Sequence, residues 1–312
     1  MDIYGLQKLG LKITSITDHI HVVQGKLRSR SPFSNSILVL DKVNAIIDTG
    51  CGIELIRRLK SALHIDLVIN SHSHPDHTSG NWLFQEGGSP DIIVPANNKD
   101  SICTADKLAP RLIGKTLSQL WKDTHLEFTG FRDFSITSSF EEGDEFDMGL
   151  TRFVALYTPG HLNDHYCLWE PVEKILIGFD IDLSPFGPWY GNEESNIDAF
   201  KASMERVKGF PIDVFISSHA RPIKAAYFPK RMATYKAALD HRDEVILDLV
   251  PGDGWAALED IVRVSPIYGY DYTFEDKILF YGEENMIKKH LEGLVHKDKV
   301  LCVDGKYRQK LG

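Results

Sequence analysis

The sequence predicts a mixed α/β fold, on the basis of three features of its pattern. Short apolar runs bounded by turn residues are typical of buried strands, whereas Gly52 to Leu63 carries apolar residues at helical spacing. Side chains of the kind that bind metals follow directly after several of the apolar runs. Loops at one edge of a rigid sheet can bring such side chains to a single site, so we expect them to converge.

The predicted strands recur along the first 220 residues. Five of them are Ile20 to Val23, Ser36 to Leu40, Ala45 to Ile47, Ile65 to Asn70 and Asp91 to Val94. Three more are Thr151 to Tyr157, Lys174 to Gly178 and Val214 to Ser218. Short helices are expected at Gly80 to Phe84 and at Leu112 to Asp123. This mixture of elements fits the α/β class.

The most informative stretch is the hexapeptide HSHPDH, which begins at His72 directly after a predicted strand. Imidazole and carboxylate side chains are ligands for zinc and similar divalent metals. His72 and His74 can reach one metal together, and Asp76 and His77 then point to a neighbouring position for a second. The alternative is a polar loop whose histidines only form hydrogen bonds, and the density of ligand types argues against it.

Three further candidate ligands lie downstream, each just beyond the end of a predicted strand. They are His161 in the sequence TPGH, Asp180 in the sequence GFD, and His219 after the run VFISS. The full candidate set is therefore His72, His74, Asp76, His77, His161, Asp180 and His219.

In this order and spacing, the set resembles the ligands of the metallo-beta-lactamase superfamily, and the resemblance covers about residues 13 to 222. It implies an αββα sandwich, in which two mixed β-sheets lie face to face with helices outside. It also implies that His72, His74 and His161 bind a first metal, that Asp76, His77 and His219 bind a second, and that Asp180 bridges the two.

Such a site has a default chemistry. Two cations a few Å apart lower the pKa of a shared water, so that hydroxide exists near neutral pH and can attack an electrophile. Asp76 is the expected catalytic residue, because its carboxylate can also orient that hydroxide. We expect two divalent metal ions, zinc in the first place, with iron and manganese as alternatives that these ligands also accept. Asp48 is a candidate acceptor for a ligand histidine, or else a turn aspartate before Gly50.

Composition favours a cytoplasmic enzyme with no membrane segment. The 312 residues are 43% hydrophobic, and no apolar run has the length of a membrane span or a signal-peptide core. Four scattered cysteines suit a reducing compartment. The net charge of −9 argues against a surface built to hold polyanions without specificity.

Three segments are expected near the site. Residues 97–139 form either an insertion that covers it or an ordinary surface excursion. His165 contacts the site or substrate, or is a polar residue at a strand start. The loop 182–191, rich in aromatics, Pro and Gly, forms either a pocket wall for an uncharged or mixed substrate or a core plug.

We predict two domains, a catalytic domain at 1–225 and a small C-terminal domain at 226–312. The latter contains helical patterns at Lys230 to Val250, Trp255 to Val264 and Glu283 to Val295, then a hairpin around Asp304-Gly305. Three helices and a hairpin look like a winged helix, which is similar to the lactamase-beta-2-like branch, some of whose members are endoribonucleases. Acidic residues slightly outnumber basic ones here, which disfavours nucleic acid and favours a packing or dimerisation module, with a homodimer left open.

The leading functional prediction is a dinuclear metal-dependent hydrolase whose bridging hydroxide attacks an ester, thioester or lactone of a small molecule. The first alternative is a phosphodiesterase or endoribonuclease of the same fold. The second is an iron-dependent enzyme of sulfur or oxygen redox chemistry. The di-iron oxygen-reducing branch usually carries Glu where His74 stands, whereas single-iron persulfide oxidation keeps this motif. Hydrolysis of β-lactams is disfavoured for a cytoplasmic chain with a helical tail.

Overall fold

Two mixed β-sheets form the centre of the molecule. The computed structural model describes residues 3–85, 90–273 and 275–310. The first sheet contains, in spatial order, β1 (Ile13–Ser15), β2 (Ile20–Val23), β3 (Ser36–Val39), β4 (Ala45–Ile47), β5 (Leu67–Ile69), β6 (Asp91–Pro95) and β7 (Ser138–Phe140). The pairs from β1–β2 to β3–β4 are antiparallel, whereas the pairs from β4–β5 to β6–β7 are parallel.

The second sheet has six strands. In spatial order they are β13 (Ile223–Lys224), β12 (Val214–Ser217), β11 (Ile175–Phe179), β10 (Tyr166–Glu170), β9 (Arg152–Tyr157) and β8 (Glu145–Asp147). Only the β11–β12 pair among them is parallel. The eight predicted strands are all found, within three residues at each end.

The two sheets pack face to face, and helices cover their outer faces. Strand β4 shows how the alternation works: Ile47 packs between the sheets, whereas Ile46 packs outward against the helices. In the same way, β11 turns Ile177 inward and Leu176 outward. Strands buried on both faces carry continuous apolar runs, which explains the pattern in the sequence. The predicted αββα architecture is therefore confirmed.

Eleven α-helical segments occur in the described part of the chain. They are α1 (Ile3–Lys8), α2 (Lys26–Ser29), α3 (Ile53–Ala62), α4 (Pro75–Thr78), α5 (Lys99–Ile102), α6 (Ala105–Trp121), α7 (Glu127–Thr129), α8 (Ile197–Lys208), α9 (Phe228–Leu249), α10 (Leu258–Arg263) and α11 (Lys277–His296). Asn81–Gln85 and Ala225–Tyr227 are 3-10 turns, and Lys122–Leu126 is a π turn. No helix in these ranges is long and apolar enough to cross a membrane.

Two helix predictions need correction. The helix expected at Leu112 to Asp123 begins earlier, at Ala105, and bends at Gly114, whose φ is 73°. The segment at Gly80 to Phe84 forms a 3-10 turn rather than an α-helix. Gly114 tolerates the positive φ because it has no Cβ, so one helical segment can change direction there.

The C-terminal region contains the three predicted helices and the hairpin. Its strands β15 (Val300–Val303) and β16 (Lys306–Gln309) are joined by Asp304 and Gly305, with φ of 49° and 72°, as a two-residue hairpin turn requires. The second helix is shorter than predicted, because strand β14 (Ala256–Ala257) pairs with β16. The third begins at Lys277, earlier than predicted. The domain boundary at 225/226 and the winged-helix interpretation stay predictions.

Candidate metal centre

All seven candidate ligands lie at one edge of the sandwich. The HSHPDH segment follows β5, and Pro75 occupies the first turn of α4, a position that its fixed φ and missing N–H suit. His74 therefore lies on extended backbone, whereas Asp76 and His77 lie on the helical turn. His161, Asp180 and His219 follow β9, β11 and β12, respectively. The sheet edge thus brings together residues from four loops.

The first cluster contains His72, His74, His161 and Asp180, all buried, with one ligand-type atom of each within 4.8 Å of the others. Nδ1 of His74 lies 3.2 Å from Nε2 of His72 and 2.9 Å from Nε2 of His161. Nε2 of His161 also lies 3.1 Å from Oδ2 of Asp180. Atoms at these separations can share one cation at ordinary ligand distances of about 2 Å.

The second cluster contains Asp76, His77 and His219, again within 4.8 Å of one another. The other oxygen of Asp180, Oδ1, lies 3.2 Å from Nε2 of His77 and 3.4 Å from Nε2 of His219. Asp180 therefore presents one oxygen to each cluster. This is the arrangement that a bridging carboxylate requires.

Each of the five histidines has its outward nitrogen held by a hydrogen bond. The acceptors are Ser71 Oγ for His72 (2.9 Å), Asn192 Oδ1 for His74 (2.8 Å), Asp48 Oδ2 for His77 (2.7 Å), the Trp189 carbonyl for His161 (2.8 Å) and the Ser29 carbonyl for His219 (2.8 Å). An acceptor on the outward nitrogen fixes the tautomer, so the inward nitrogen carries a lone pair. With each ring neutral, as a metal ligand must be, five lone pairs point into the two clusters.

The residues present fit divalent cations. Nε2 of His77 and Oδ1 of Asp180 are buried and face each other, yet neither makes a hydrogen bond. A buried polar atom without a partner costs about 1–3 kcal/mol. A cation between these two atoms would remove that cost for both, and imidazole and carboxylate are suitable ligands.

Electrostatics also favour cations here. Burial, reinforced by the neighbouring His161, lowers the pKa of His74 to about 3 and keeps it neutral. Burial alone would raise the pKa of Asp180, but His77, His219 and His161 outweigh it and hold the pKa well below its usual range. The same carboxylates act in the opposite sense on His219: burial would lower its pKa, yet Asp180 and Asp76 raise it to about 10. Without cations, the site is rich in ionised carboxylate.

A cavity of about 590 Å³ opens above both clusters. Its floor includes His74, Asp76, His161, Asp180 and His219. Its walls come from α6, from the loop 182–191 and from the C-terminal region. The loop 182–191 thus lines a pocket, as predicted, and the segment 97–139 contributes Leu112, Ile113, Trp121 and His125.

The segment Phe186 to Asn192 connects the metal centre to the C-terminal region. It supplies the acceptors for His161 and His74 described above. From the other side, Arg242 of α9 donates to the carbonyls of Phe186 and Pro188, at 2.6 Å each. Asn285 and Lys289 of α11 donate to the carbonyls of Gly191 and Asn192, at 3.0 and 2.9 Å. The C-terminal helices therefore hold the backbone that orients two candidate ligands.

His165 supports the site from behind rather than lining the cavity. Its Nδ1 donates to the carbonyl of Thr158 at 2.9 Å, which leaves Nε2 to accept the backbone N–H of Asp180 at 3.2 Å. His165 is fully buried, and burial lowers its pKa to about 3. It is thus a neutral acceptor that positions Asp180.

Arg111 of α6 is a residue that sequence reasoning missed. Its guanidinium donates to Oγ of Ser73 at 2.6 Å, between two candidate ligands, and to Asp164 at 3.0 Å. It also binds both carboxylate oxygens of Glu194. Arg111 thus fastens the ligand loop to two other loops. No local pattern marks it, because Ser73, Asp164 and Glu194 are 38 or more residues away in the chain.

Replacing Asp48 is expected to weaken metal binding at the second cluster. Asp48 is fully buried, accepts from His77 and also accepts from the N–H and Oγ of Ser71, at 2.8 and 2.7 Å. Losing an outer-shell partner of a ligand histidine typically lowers metal affinity about 10–100-fold. Titration of Asp48→Asn with zinc against a competing chromophoric chelator measures this loss. Asp147→Asn, on exposed β8, is the control, and equal affinity of both variants would contradict the role.

Comparison with known proteins agrees with this geometry. Residues 31–219 match the family profile described as the metallo-beta-lactamase superfamily. A probable metallo-hydrolase from Methanocaldococcus jannaschii is 39% identical over 67 residues, 20% of this chain and 32% of that protein. The aligned part spans about a third of that relative's length.

Two solved structures share the fold over nearly the whole chain. A metallo-beta-lactamase family protein from Thermus thermophilus superposes with a TM-score of 0.72 at 18% identity, covering 95% of this chain and 100% of that one. A beta-lactamase domain protein from Burkholderia ambifaria superposes with a TM-score of 0.71 at 18% identity, covering 96% of this chain and 94% of that one. Because the family match itself extends over more than half of the residues, the chain belongs to the metallo-beta-lactamase superfamily.

Proposed function

We propose that this protein is a metal-dependent hydrolase that holds two divalent cations, zinc in the first place, and cleaves an ester, thioester or lactone of a small molecule. The observation that carries the proposal is the pair of convergent ligand clusters, which share Asp180 and open onto one cavity. Metal-dependent hydrolysis is the reaction class that the superfamily supports.

The residues have distinct roles in this proposal. His72, His74 and His161 would hold the first cation, Asp76, His77 and His219 the second, and Asp180 both. When bound, the cations would lower the pKa of water and polarise the acyl oxygen of the substrate. Asp76 lines the cavity, and although burial opposes ionisation, His77 and His219 lower its pKa. Its carboxylate can therefore accept a hydrogen bond from the attacking water and orient it.

The charges of the cavity favour an acyl compound over a phosphate. Among the described residues that line it, Arg30 is the one with a fixed positive charge, and its side chain is exposed. Asp182, also in the lining, is acidic. A phosphodiester needs cationic partners beyond the metals for its non-bridging oxygens, and this cavity offers few. We therefore propose a small-molecule partner rather than nucleic acid.

The test is turnover of a thioester and a phosphodiester model substrate, side by side, by protein loaded with zinc, manganese or iron. We expect faster thioester cleavage, lost when a chelator removes the metal and restored by zinc. Faster phosphodiester cleavage would replace the proposal with the phosphodiesterase alternative. Activity on neither substrate, with iron bound after native purification, would overturn the hydrolase and favour redox chemistry.

A further inference from the structure

We infer that the substrate carries a large apolar acyl group, which lies in the cavity between α6, the loop 182–191 and the start of α11. This inference rests on the proposed hydrolase function and names its substrate class. The apolar and charged side chains around the cavity are distributed unequally.

The walls away from the metal centre are apolar on three sides. Leu112, Ile113 and Trp121 come from α6, Phe186 and Trp189 from the loop, and Tyr268, Ile278 and Leu279 from the C-terminal region. The polar tips of Trp189 and Tyr268 pair with each other, since Nε1 of Trp189 donates to the Tyr268 hydroxyl at 2.9 Å. The wall therefore offers a substrate mainly hydrocarbon and ring surface.

The charged groups of the lining are already engaged or lie at the opening. Asp76 and Asp180 belong to the metal clusters. Oδ1 of Asp182 accepts the backbone N–H of Ser184 at 3.0 Å, within its own loop. Arg30 and Ser31 are exposed. Away from the metal clusters, the described lining thus has no buried cation to neutralise an anionic group on the substrate.

The separation of the apolar walls from the metal clusters and the exposed polar residues suggests how the substrate is oriented. The scissile carbonyl would lie over the two clusters, where bound cations would polarise it. We place the leaving alcohol or thiol toward Arg30 and Ser31, because these are the exposed polar residues of the described lining. The acyl group is left with the apolar walls. A volume of about 590 Å³ falls within the range of pockets that enclose drug-sized ligands, so the group is much larger than acetyl.

The experiment compares p-nitrophenyl acetate, butyrate, hexanoate and octanoate on the zinc-loaded enzyme. Burial of each methylene in an apolar wall should raise kcat/KM about fourfold, so octanoate, with six more methylenes, should exceed acetate by about 4 × 10³-fold. A second series of acetate esters with longer alkyl alcohols should show no such rise. A rise along the alcohol series alone would overturn the orientation.

A charge placed in the wall should reduce the chain-length preference. Leu279 is 46% exposed, so Leu279→Asp can be made without burying the carboxylate fully. We expect the octanoate-to-acetate ratio of kcat/KM to fall about tenfold or more. Leu279→Met keeps the wall apolar and should retain the wild-type octanoate-to-acetate ratio. Val172→Asp, on the turn between β10 and β11 and 75% exposed, is the matched control and should keep the wild-type ratio.

Binding of octanoate and acetate, measured by calorimetry, distinguishes failure of the apolar subsite from failure of the hydrolase function. Cleavage without chain-length dependence would overturn the apolar acyl group and leave the hydrolase intact. Octanoate binding that exceeds acetate binding, without cleavage of any ester, would overturn the hydrolase and retain the apolar subsite. If the protein neither cleaves any ester nor binds octanoate more tightly than acetate, both the hydrolase and the apolar subsite are overturned.

Discussion

Asp180→Asn is expected to lower kcat/KM for the best acyl substrate by about 10³-fold, which makes it the most damaging single substitution in the site. One carboxylate oxygen lies 3.1 Å from His161, and the other lies 3.2 Å from His77. An amide keeps the shape but removes the charge and turns one of these two ligand atoms into a donor. Both clusters therefore lose affinity at once. Steady-state kinetics at saturating zinc measures the loss.

The same substitution at Asp213 is the matched control. Asp213 is exposed and precedes β12, at the opposite end of that strand from His219. Circular dichroism of both variants establishes that the fold is retained. Activity of Asp180→Asn within tenfold of wild type would contradict the bridging role.

Arg111→Met is expected to cost about 3–5 kcal/mol in the free energy of unfolding. The guanidinium is the ion-pair partner of Asp164 and Glu194, and Asp164 is fully buried. Methionine has a similar volume but leaves both carboxylates uncompensated. Burial already raises the pKa of Asp164 with Arg111 present, so its charge depends on that partner. Urea denaturation of the metal-free protein at neutral pH gives the difference without a contribution from bound metal.

Arg152→Met provides the comparison. Arg152 also contacts two carboxylates, Glu145 at 3.1 Å and Asp147 at 3.1 Å, but on the exposed surface of β8 and β9. Exposed pairs of this kind contribute about 0–1 kcal/mol. An equal loss in the free energy of unfolding for the two substitutions would contradict a stabilising role of the Arg111 ion pairs at the ligand loop.

The candidate ligands could be predicted from sequence because their signal is local. His72, His74, Asp76 and His77 occur within six residues, and the other three each follow an apolar strand. Strands buried on both faces give continuous apolar runs, so their positions also could be predicted. In the second sheet β9, β11 and β12 run in the same direction, so His161, Asp180 and His219 follow strand ends at one edge. The fold then brings this edge to the loop that follows β5 of the first sheet.

Among the supporting groups, Asp48 was predicted as an acceptor for a ligand histidine and accepts from His77 at 2.7 Å. Most of the others could not be predicted, because their signal is not carried by residue type. The acceptor for His161 is the backbone carbonyl of Trp189, and any residue at that position has a carbonyl. Arg242 acts on that same loop from α9, more than 50 residues further along the chain. Such contacts depend on three-dimensional packing, and spacing in the sequence does not encode them. Substrate choice depends on the same loops.

The most direct test of the account is the metal content of the purified protein, measured by elemental analysis after zinc loading and removal of excess ion. The two clusters and the shared Asp180 predict two equivalents per chain. They also predict that His161→Ala retains about one equivalent, in the second cluster. Two equivalents would support the dinuclear hydrolase. One equivalent or none in the wild-type protein would contradict it.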